Sequence, residues 1–274
     1  MIDPMGKRIG TLIVLIIFTI YAMIPIILVV FTSFKTSQEL FENVIAPPTQ
    51  MMWENYIRVW EQAGFKNYFM NSVVIALPTV LCVVIFSTLS GYAFAKMNFP
   101  GKNWFFFSVL GGLMLPLPSI IIPLYQNLNQ IGILNTRLGV ALVEMSITMP
   151  FGIFLMKTFV ESIPNELLEA ARIDGASEFK IIYQIIFPLA SPGIKSLALI
   201  EFMWVWQSYL LPLILITEDK IKPLTAALDI FIGRYSVSYN LIATASIIVF
   251  IPITIVFLIT QKSFIQGITM GSIK

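Results

Sequence analysis

Charged residues are missing from four long stretches of the chain: between Arg8 and Lys35, Lys66 and Lys96, Lys102 and Arg137, and Arg234 and Lys262. Each stretch exceeds the roughly 20 residues with which a helix crosses about 30 Å of hydrocarbon. Two further apolar segments hold one acid each, Leu138 to Met156 with Glu144 and Ser196 to Ile216 with Glu201. The pattern predicts six membrane helices at about 9–33, 69–94, 104–125, 138–157, 196–216 and 241–260, an all-α membrane protein forming a single domain over 1–274. Every predicted span contains proline, at Pro25, Pro78, Pro116/Pro118/Pro123, Pro150, Pro212 and Pro252. Proline removes a backbone donor and kinks a helix, and neighbouring helices or water re-satisfy the freed carbonyls, so the prolines are either the ordinary ones of membrane helices or the mark of bent helices around a cavity. Tyr68, Tyr92, Trp104 and Tyr125 stand near span ends, as interfacial aromatics do.

Composition narrows the class further. Apolar residues make up 57% of the 274 residues and charged ones 12%, an excess that only contact with lipid absorbs. The net charge of +2 is small and dispersed, which argues against nucleic acid as a partner. There is no histidine and one cysteine, Cys82, inside an apolar run, so a Cys/His metal site or a disulfide is excluded by count. The first span is too long for a secretion signal and no small-residue cleavage pattern follows it, so it is read as retained. Basic residues orient the bundle. Lys7, Arg8, Lys96, Lys102, Lys157, Arg172, Lys180, Lys195, Lys262 and Lys274 fall on one side, against Lys35, Arg58, Lys66, Arg137, Lys220, Lys222 and Arg234 on the other. The excess places both termini and the 158–195 loop in the cytoplasm.

That loop has a local logic. Pro164 suits a first helical turn, with Glu166 and Glu169 in its early, dipole-positive part, and Gly175 suits the left-handed position that ends it. Ser177 suits the cap of a second helix running through Phe179, Ile182 and Ile186 until Pro188 stops it. Two short helices at an angle make a compact knob. Ala170 and Ala171 leave one face low enough for close approach of another protein, and Glu169 has Arg172 or a partner's basic group within reach. Neither Gly6-Lys7-Arg8 nor Gly101-Lys102-Asn103 completes a phosphate-cradling loop, which requires Gly-Lys followed by Ser or Thr. Any ATPase must therefore be another polypeptide.

Glu169-Ala170-Ala171, Gly175, Ile185 and Pro188 resemble the cytoplasmic coupling loop of the membrane-spanning subunits of ABC importers. There Glu-Ala-Ala precedes a glycine and then Ile-x-Leu-Pro, and Phe187 takes the place of Leu here. Phe31-Thr-Ser-Phe-Lys35, Trp53-Glu-Asn-Tyr56, Gly91-Tyr-Ala-Phe-Ala-Lys96 with Phe99-Pro-Gly-Lys102, Leu115-Pro116, Ile122-Pro-Leu-Tyr125, Pro150-Phe151 and Phe264-Ile-Gln-Gly267 follow the smaller, maltose-type permease subunits of carbohydrate importers over some 240 residues. The resemblance implies the type I importer permease fold in a bacterial or archaeal plasma membrane. It also implies a second permease subunit, two ATPase subunits that bind ATP and Mg, and an external solute-binding protein, with no cofactor and no catalysis on this chain.

Residue roles follow from the same resemblance. Glu169, Ala170, Ala171, Asp174, Gly175, Ile185 and Pro188 would couple to the ATPase, with Gln266, Gly267 and Lys274 as secondary contacts. Leu224, Thr225, Gly233, Arg234 and Tyr235, in the loop at about 217–240, would touch the binding protein. The family's Trp-Asn plus acidic and aromatic residues in the fifth helix are here Trp206, Gln207, Ser208 and Tyr209, so the acid is absent. Amides and aromatic faces suit sugar hydroxyls and ring faces, which makes Trp206, Gln207 and Tyr209 candidate path residues beside helix packing. Glu144 and Glu201 join them, because an ionised acid at the bilayer centre costs about 2.5–3.5 kcal/mol and calls for a cavity or a polar contact. Both are placed near span ends, where partial solvation would lower that cost. A permease for another solute, or an ion-coupled carrier titrating Glu144 or Glu201, stands as the alternative.

Overall fold

The computed structural model describes residues 4–232 and 237–272, with side chains placed from Arg8 to Ile232 and from Val237 to Gln261. Among the described residues the chain is helical, apart from one isolated antiparallel bridge between Ile232 and Val237. Four helices are long and apolar enough to cross a membrane: α1 (Pro4–Ser33), α4 (Phe65–Lys96), α7 (Arg137–Glu161) and α13 (Tyr239–Ser272). Two bent pairs bring the number to six if each is one span. The chain divides into two compact units, residues 1–66 with 228–251 and residues 67–227 with 252–274.

In the first unit the end of α1 is stitched by amide and hydroxyl side chains. The Asn55 amide donates to the Ser33 and Lys35 carbonyls, both at 2.9 Å. Asn240 donates to Lys35 O at 3.2 Å, and the Thr244 hydroxyl to Ser33 O at 3.1 Å. The Ser33 carbonyl is the last of α1 and the Lys35 carbonyl lies just past it; neither has an intrahelical partner, and both would be costly to bury unpaired. The buried Lys35 ammonium caps the end of the short helix α2 (Ser37–Glu42), donating to Asn43 O at 2.8 Å and Val44 O at 3.1 Å. Phe34, Trp53 and Tyr56 stack as one aromatic cluster, and the Ser33 and Tyr56 hydroxyls share a hydrogen bond of 2.8 Å. The Phe-Thr-Ser-Phe-Lys and Trp-Glu-Asn-Tyr segments are thus two halves of one structural joint, the latter opening the one-turn helix α3 (Glu54–Ile57).

In the second unit α4, α7 and α11 (Ser191–Gln207) pack around a common core of Val84, Tyr92, Met156, Val160 and Leu197. Close approach depends on glycine. A Cβ on Gly91 would lie 2.8 Å from the backbone at Met156 and Lys157, and one on Gly152 would lie 2.3 Å from Ser87 Oγ. Tyr92, expected among the interfacial aromatics, is instead 1% exposed inside this core. Its neighbours on the last turns of α4 are covered by helices, so no lipid interface is offered to it.

Two expected spans are broken. The third, expected as one helix over 104–125, is α5 (Lys102–Gly111) with a 3₁₀ turn to Met114, then α6 (Leu117–Gln130), bent by 102°. Leu115 and Pro116 are extended there, ψ 115° and 128°, because a residue before proline is disfavoured in the helical region and Pro118 then opens the next helix. The fifth, expected over 196–216, starts at Ser191, ends at Gln207 and resumes as α12 (Leu210–Leu215). Pro212 lacks the N–H that would have bonded the Ser208 carbonyl four residues back, and the Thr225 hydroxyl donates to that carbonyl instead, at 2.5 Å. Asn135, left-handed at φ 58°, pins the end of α12. Its N–H donates to Leu215 O at 3.0 Å, and its side chain accepts from Thr217 and Glu218 N–H at 2.9 and 3.1 Å.

Gly91→Ala is expected to overpack the α4–α7 crossing and destabilise the fold by about 1–3 kcal/mol. Thermal unfolding of the purified protein in detergent measures this as a lowered midpoint.

Candidate functional site

The 158–195 segment folds as the knob expected of it, with changes at its two ends. Helix α8 (Asn165–Ile173) starts after Pro164, which is its N-cap at φ −57° and ψ 136° and not a residue of its first turn. Extended ψ there lets the chain leave α7 before the new helix begins. Glu166 lies in the first turn, favourable for the helix dipole. The far end is a Schellman motif: Gly175 N–H donates to Arg172 O at 3.0 Å and Ala176 N–H to Ala171 O at 2.9 Å, with Gly175 at φ 79°. Ser177 then caps α9 (Glu178–Ile181), accepting from Lys180 N–H. Pro188 does not stop this second helix. A π turn over Ile182–Ile186 widens the ladder ahead of it, so the ring avoids the carbonyl four residues back and the helix continues through α10 (Phe187–Leu189). The sharp turn comes two residues later, at Ala190, where the path bends by 75° into α11.

The knob is held from below by apolar packing and from the side by polar contacts. Leu168, Ile181 and Ile186 are each 1% exposed or less, in the same core as Tyr92, Met156, Val160 and Leu197. Ala171 and Ile185 pack against that core, half-buried. The Lys96 ammonium, at the end of α4, donates to Ile163 O at 2.5 Å, Asn165 Oδ1 at 2.8 Å and Glu161 O at 3.3 Å. The Tyr92 hydroxyl donates to Glu178 Oε2, and Arg172 Nε donates to Glu178 Oε1 at 2.8 Å while its Nη2 reaches the Tyr92 oxygen at 3.4 Å. Arg172 is thus engaged with Glu178, so of the two partners open to Glu169 the local one is taken. The sequence offered Tyr92 as an interfacial aromatic, Lys96 as an orienting cation and both as parts of a short motif; their target residues lie 60 to 90 positions away and had no local signal.

What the knob leaves outside is also defined. Glu169, Ala170, Asp174, Gly175 and Pro188 are exposed. So are Ile173 at 86%, Phe179 at 78% and Tyr183 at 70%, three large apolar side chains projecting from α8, α9 and the π turn. Phe179, on the second helix, points away from the core, and Ile181 takes the inward position. Of the motif residues, Glu169, Ala170, Asp174, Gly175 and Pro188 belong to the free surface, whereas Ala171 and Ile185 anchor the knob.

A second feature lies between the α5–α6 bend, α7, α11 and α12: a cavity of about 440 Å³ lined by residues that include Glu144, Thr148, Phe151, Trp204, Gln207 and Ser208. Leu113, Leu115 and Leu117 from the α5–α6 bend close one side of it. Glu144 is 5% exposed with Oε1 lacking a hydrogen-bond partner, and Glu201 is fully buried with neither oxygen bonded. Both were placed near span ends with partial solvation; α7 and α11 pack along each other and enclose them instead. Gln207 lines the cavity as expected. Trp206 does not: it is 3% exposed and packs against Phe69 and Phe202, with ring centroids at 5.5 and 5.2 Å. Trp204, which the sequence did not single out, takes that place in the lining and meets Phe151 at a ring-centroid distance of 4.8 Å with the planes tilted by 59°. Tyr209 is 44% exposed at the break between α11 and α12.

The remaining expectations divide. Leu224 and Thr225 are buried, 0% and 6% exposed, with Leu224 N–H donating to Ser72 Oγ at 2.8 Å, so neither offers a free surface to an external protein. The physical reason is again carbonyl and amide pairing: this segment crosses the ends of α4 and α11, and the Asn71 amide also holds it through Lys220 O and Lys222 O at 2.9 and 2.8 Å. Gly233, Arg234, Tyr235 and Lys274 lie outside the described residues, and Gln266 and Gly267 continue the backbone of α13. No cluster of three or more metal-ligating side chains forms among the described residues.

The Arg172 and Tyr92 hydrogen bonds hold the Glu178 carboxyl below the usual carboxylate range. Its stabilising effect is therefore complete above the ordinary carboxylate pKa and is lost only as pH falls through the lowered folded value. Amide exchange over residues 165–182, corrected for intrinsic rate, is expected to stay flat from pH 8 to 6. Glu178→Gln should raise it at pH 7 by about two- to fivefold, the scale of an exposed ion pair.

Comparison with known proteins agrees with this architecture. Residues 84–270 match the family described as the binding-protein-dependent transport system inner membrane component. The chain is 29% identical to a diacetylchitobiose uptake system permease protein of Streptomyces coelicolor over 95% of its own length and 87% of that protein's. It is 32% identical to an arabinooligosaccharides transport system permease protein of Halalkalibacterium halodurans, over 92% and 91%. A solved chain of a bacterial ABC transporter involved in the import of the acidic polysaccharide alginate shares the fold, with a TM-score of 0.82, 23% identity, and coverage of 96% and 99%. An ion-coupled secondary carrier is set aside by these matches. A match over most of the chain, full-length relatives and a bundle of apolar helices together make this chain a member of the binding-protein-dependent transport system inner membrane components, a multi-pass permease subunit of an ABC importer and not an enzyme.

Proposed function

We propose that the chain forms half of the translocation path of an ATP-driven importer for a sugar or oligosaccharide, and that the exposed face of the knob receives the power stroke from a separate ATPase. The observation that carries the coupling role is the split surface of the knob. One side is locked into α4, α7 and α11, while Ile173, Phe179 and Tyr183 stand free beside Glu169, Ala170 and Asp174. Exposed apolar anchors rimmed by polar residues are the makeup of a protein interface. A push on that face would reach three membrane helices at once, because the core and the Lys96 and Tyr92 contacts tie them to it.

In the working assembly a second permease subunit completes the path and an external binding protein delivers the solute. Two ATPase subunits hold ATP and Mg, one under each permease. The knob and both termini face the cytoplasm, with the tail at Gln266, Gly267 and Lys274 as a second place of contact. The names of the oligosaccharide-transporting relatives support the substrate class.

Glu169→Ala and Gly175→Val test the coupling role. A side chain at the left-handed Gly175 costs about 1–2 kcal/mol of local strain, which deforms the knob's exposed end without touching its buried face. Reconstituted with its partners, each variant is expected to insert and assemble normally while ATP-dependent uptake falls about tenfold or more, the equivalent of about 1.4 kcal/mol of interface energy. Unchanged uptake in both would refute the assignment.

A further inference from the structure

Resting on the coupling role proposed above, we propose that α4 is the membrane helix that takes up the knob's displacement, with Tyr92 and Lys96 as the positioning residues that hold it to both ends of α8. The chain joins the knob to α7 and α11, yet both side chains that clamp it come from α4. Lys96 grips the start of α8, donating to Ile163 O at 2.5 Å and Asn165 Oδ1 at 2.8 Å. Tyr92 grips the other end, donating to Glu178 Oε2 while Arg172 Nη2 reaches its oxygen at 3.4 Å. Arg172 lies in the last turn of α8 and Glu178 in the first turn of α9, and their 2.8 Å contact ties the two across the Gly175 corner. Tyr92 and Lys96 stand four residues apart on α4, which puts them on one face of it. One point of attachment would leave α8 free to pivot. Two fix its angle, so α8 cannot tilt or slide without carrying the end of α4.

Stability does not account for this clamp. Leu168, Ile181 and Ile186 already bury the knob's apolar face, which supplies adhesion without direction. The Arg172 and Glu178 side chains are 41% and 47% exposed, and an ion pair so placed adds little to stability. The Tyr92 ring is nevertheless buried with its hydroxyl aimed at that pair, and the half-buried Lys96 converges on three oxygens where α7 gives way to α8. Contacts that are directional but contribute little adhesion set register. Behind the clamp α4 is backed directly by α7. A Cβ at Gly91, next to Tyr92, would lie 2.8 Å from the Met156 and Lys157 backbone, and one at Gly152 would lie 2.3 Å from Ser87 Oγ. Close-packed helices transmit a displacement instead of absorbing it, so a pull on the end of α4 passes into α7 along a contiguous line of contacts.

The test is amide hydrogen exchange on the complete assembly in lipid nanodiscs, nucleotide-free and trapped with MgATP and orthovanadate, so no solute need be known. In the unaltered assembly trapping is expected to change exchange over the knob, 165–182, and over the end of α4, 88–96, together. In Tyr92→Phe and in Lys96→Met the trapping-dependent change over 88–96 is expected to shrink about threefold or more while that over 165–182 stays within about twofold, the scale of one lost polar contact. Tyr92→Phe removes only a hydroxyl, and it keeps the test open if Lys96→Met does not assemble. A merely structural role would raise exchange alike in both nucleotide states and leave the trapping-dependent change over 88–96 intact. That result overturns the proposal, as does a change confined to the knob in the unaltered assembly, and in these cases the importer reading stands. Absence of any trapping-dependent change over the knob of the unaltered assembly overturns the coupling role itself.

Discussion

The permease depends on the burial of one face of the 158–195 knob in the core shared by α4, α7 and α11. Leu168, Ile181 and Ile186 supply the apolar area, and Met156, Val160 and Leu197 from the membrane helices receive it. Burial of this kind is non-directional and by itself would allow the knob to slide. Direction comes from the polar contacts at its edge: Lys96 on the carbonyls that end α7, and the Tyr92, Glu178 and Arg172 triangle between α4 and the second knob helix. Glycines allow the close approach this requires, since a single methyl at Gly91 would meet backbone at 2.8 Å. A rigid joint is what a force-transmitting loop needs, because a compliant one would absorb a displacement instead of passing it to the helices.

The second unit combines that rigidity with interruption. α5 and α6 meet at 102°, α11 ends at Gln207, the Ser208 carbonyl released at that second break is taken up by Thr225, and Asn135 pairs the end of α12. The breaks border the cavity, and the unbroken core lies at the knob end of α11. Stiff and interrupted stretches thus lie at opposite ends of the same helix, the packed core beside the knob and the broken backbone beside the cavity.

The sequence by itself determined which segments are apolar enough to enter a membrane, and it determined the local geometry of the knob. Both follow from short-range physics. Charge-free runs of sufficient length partition into lipid, and Gly175 and Ser177 act within one helical turn, so the Schellman end and the cap were legible at Ala171–Ala176 and Ser177–Lys180. The order of short motifs likewise carried the family. What only the tertiary structure decided are the pairings between distant residues: Tyr92 with Glu178, Lys96 with Ile163, Trp206 buried against Phe69 while Trp204 faces the cavity, and Leu224 sealed against Ser72. Helical periodicity is weak in a span that is apolar on every side, so the face a residue presents is set by neighbouring helices and not by its own segment. Proline announced that helices would be interrupted, but whether the interruption became a 102° bend at Pro116 or a π turn ahead of Pro188 depended on which backbone groups found new partners in the folded chain.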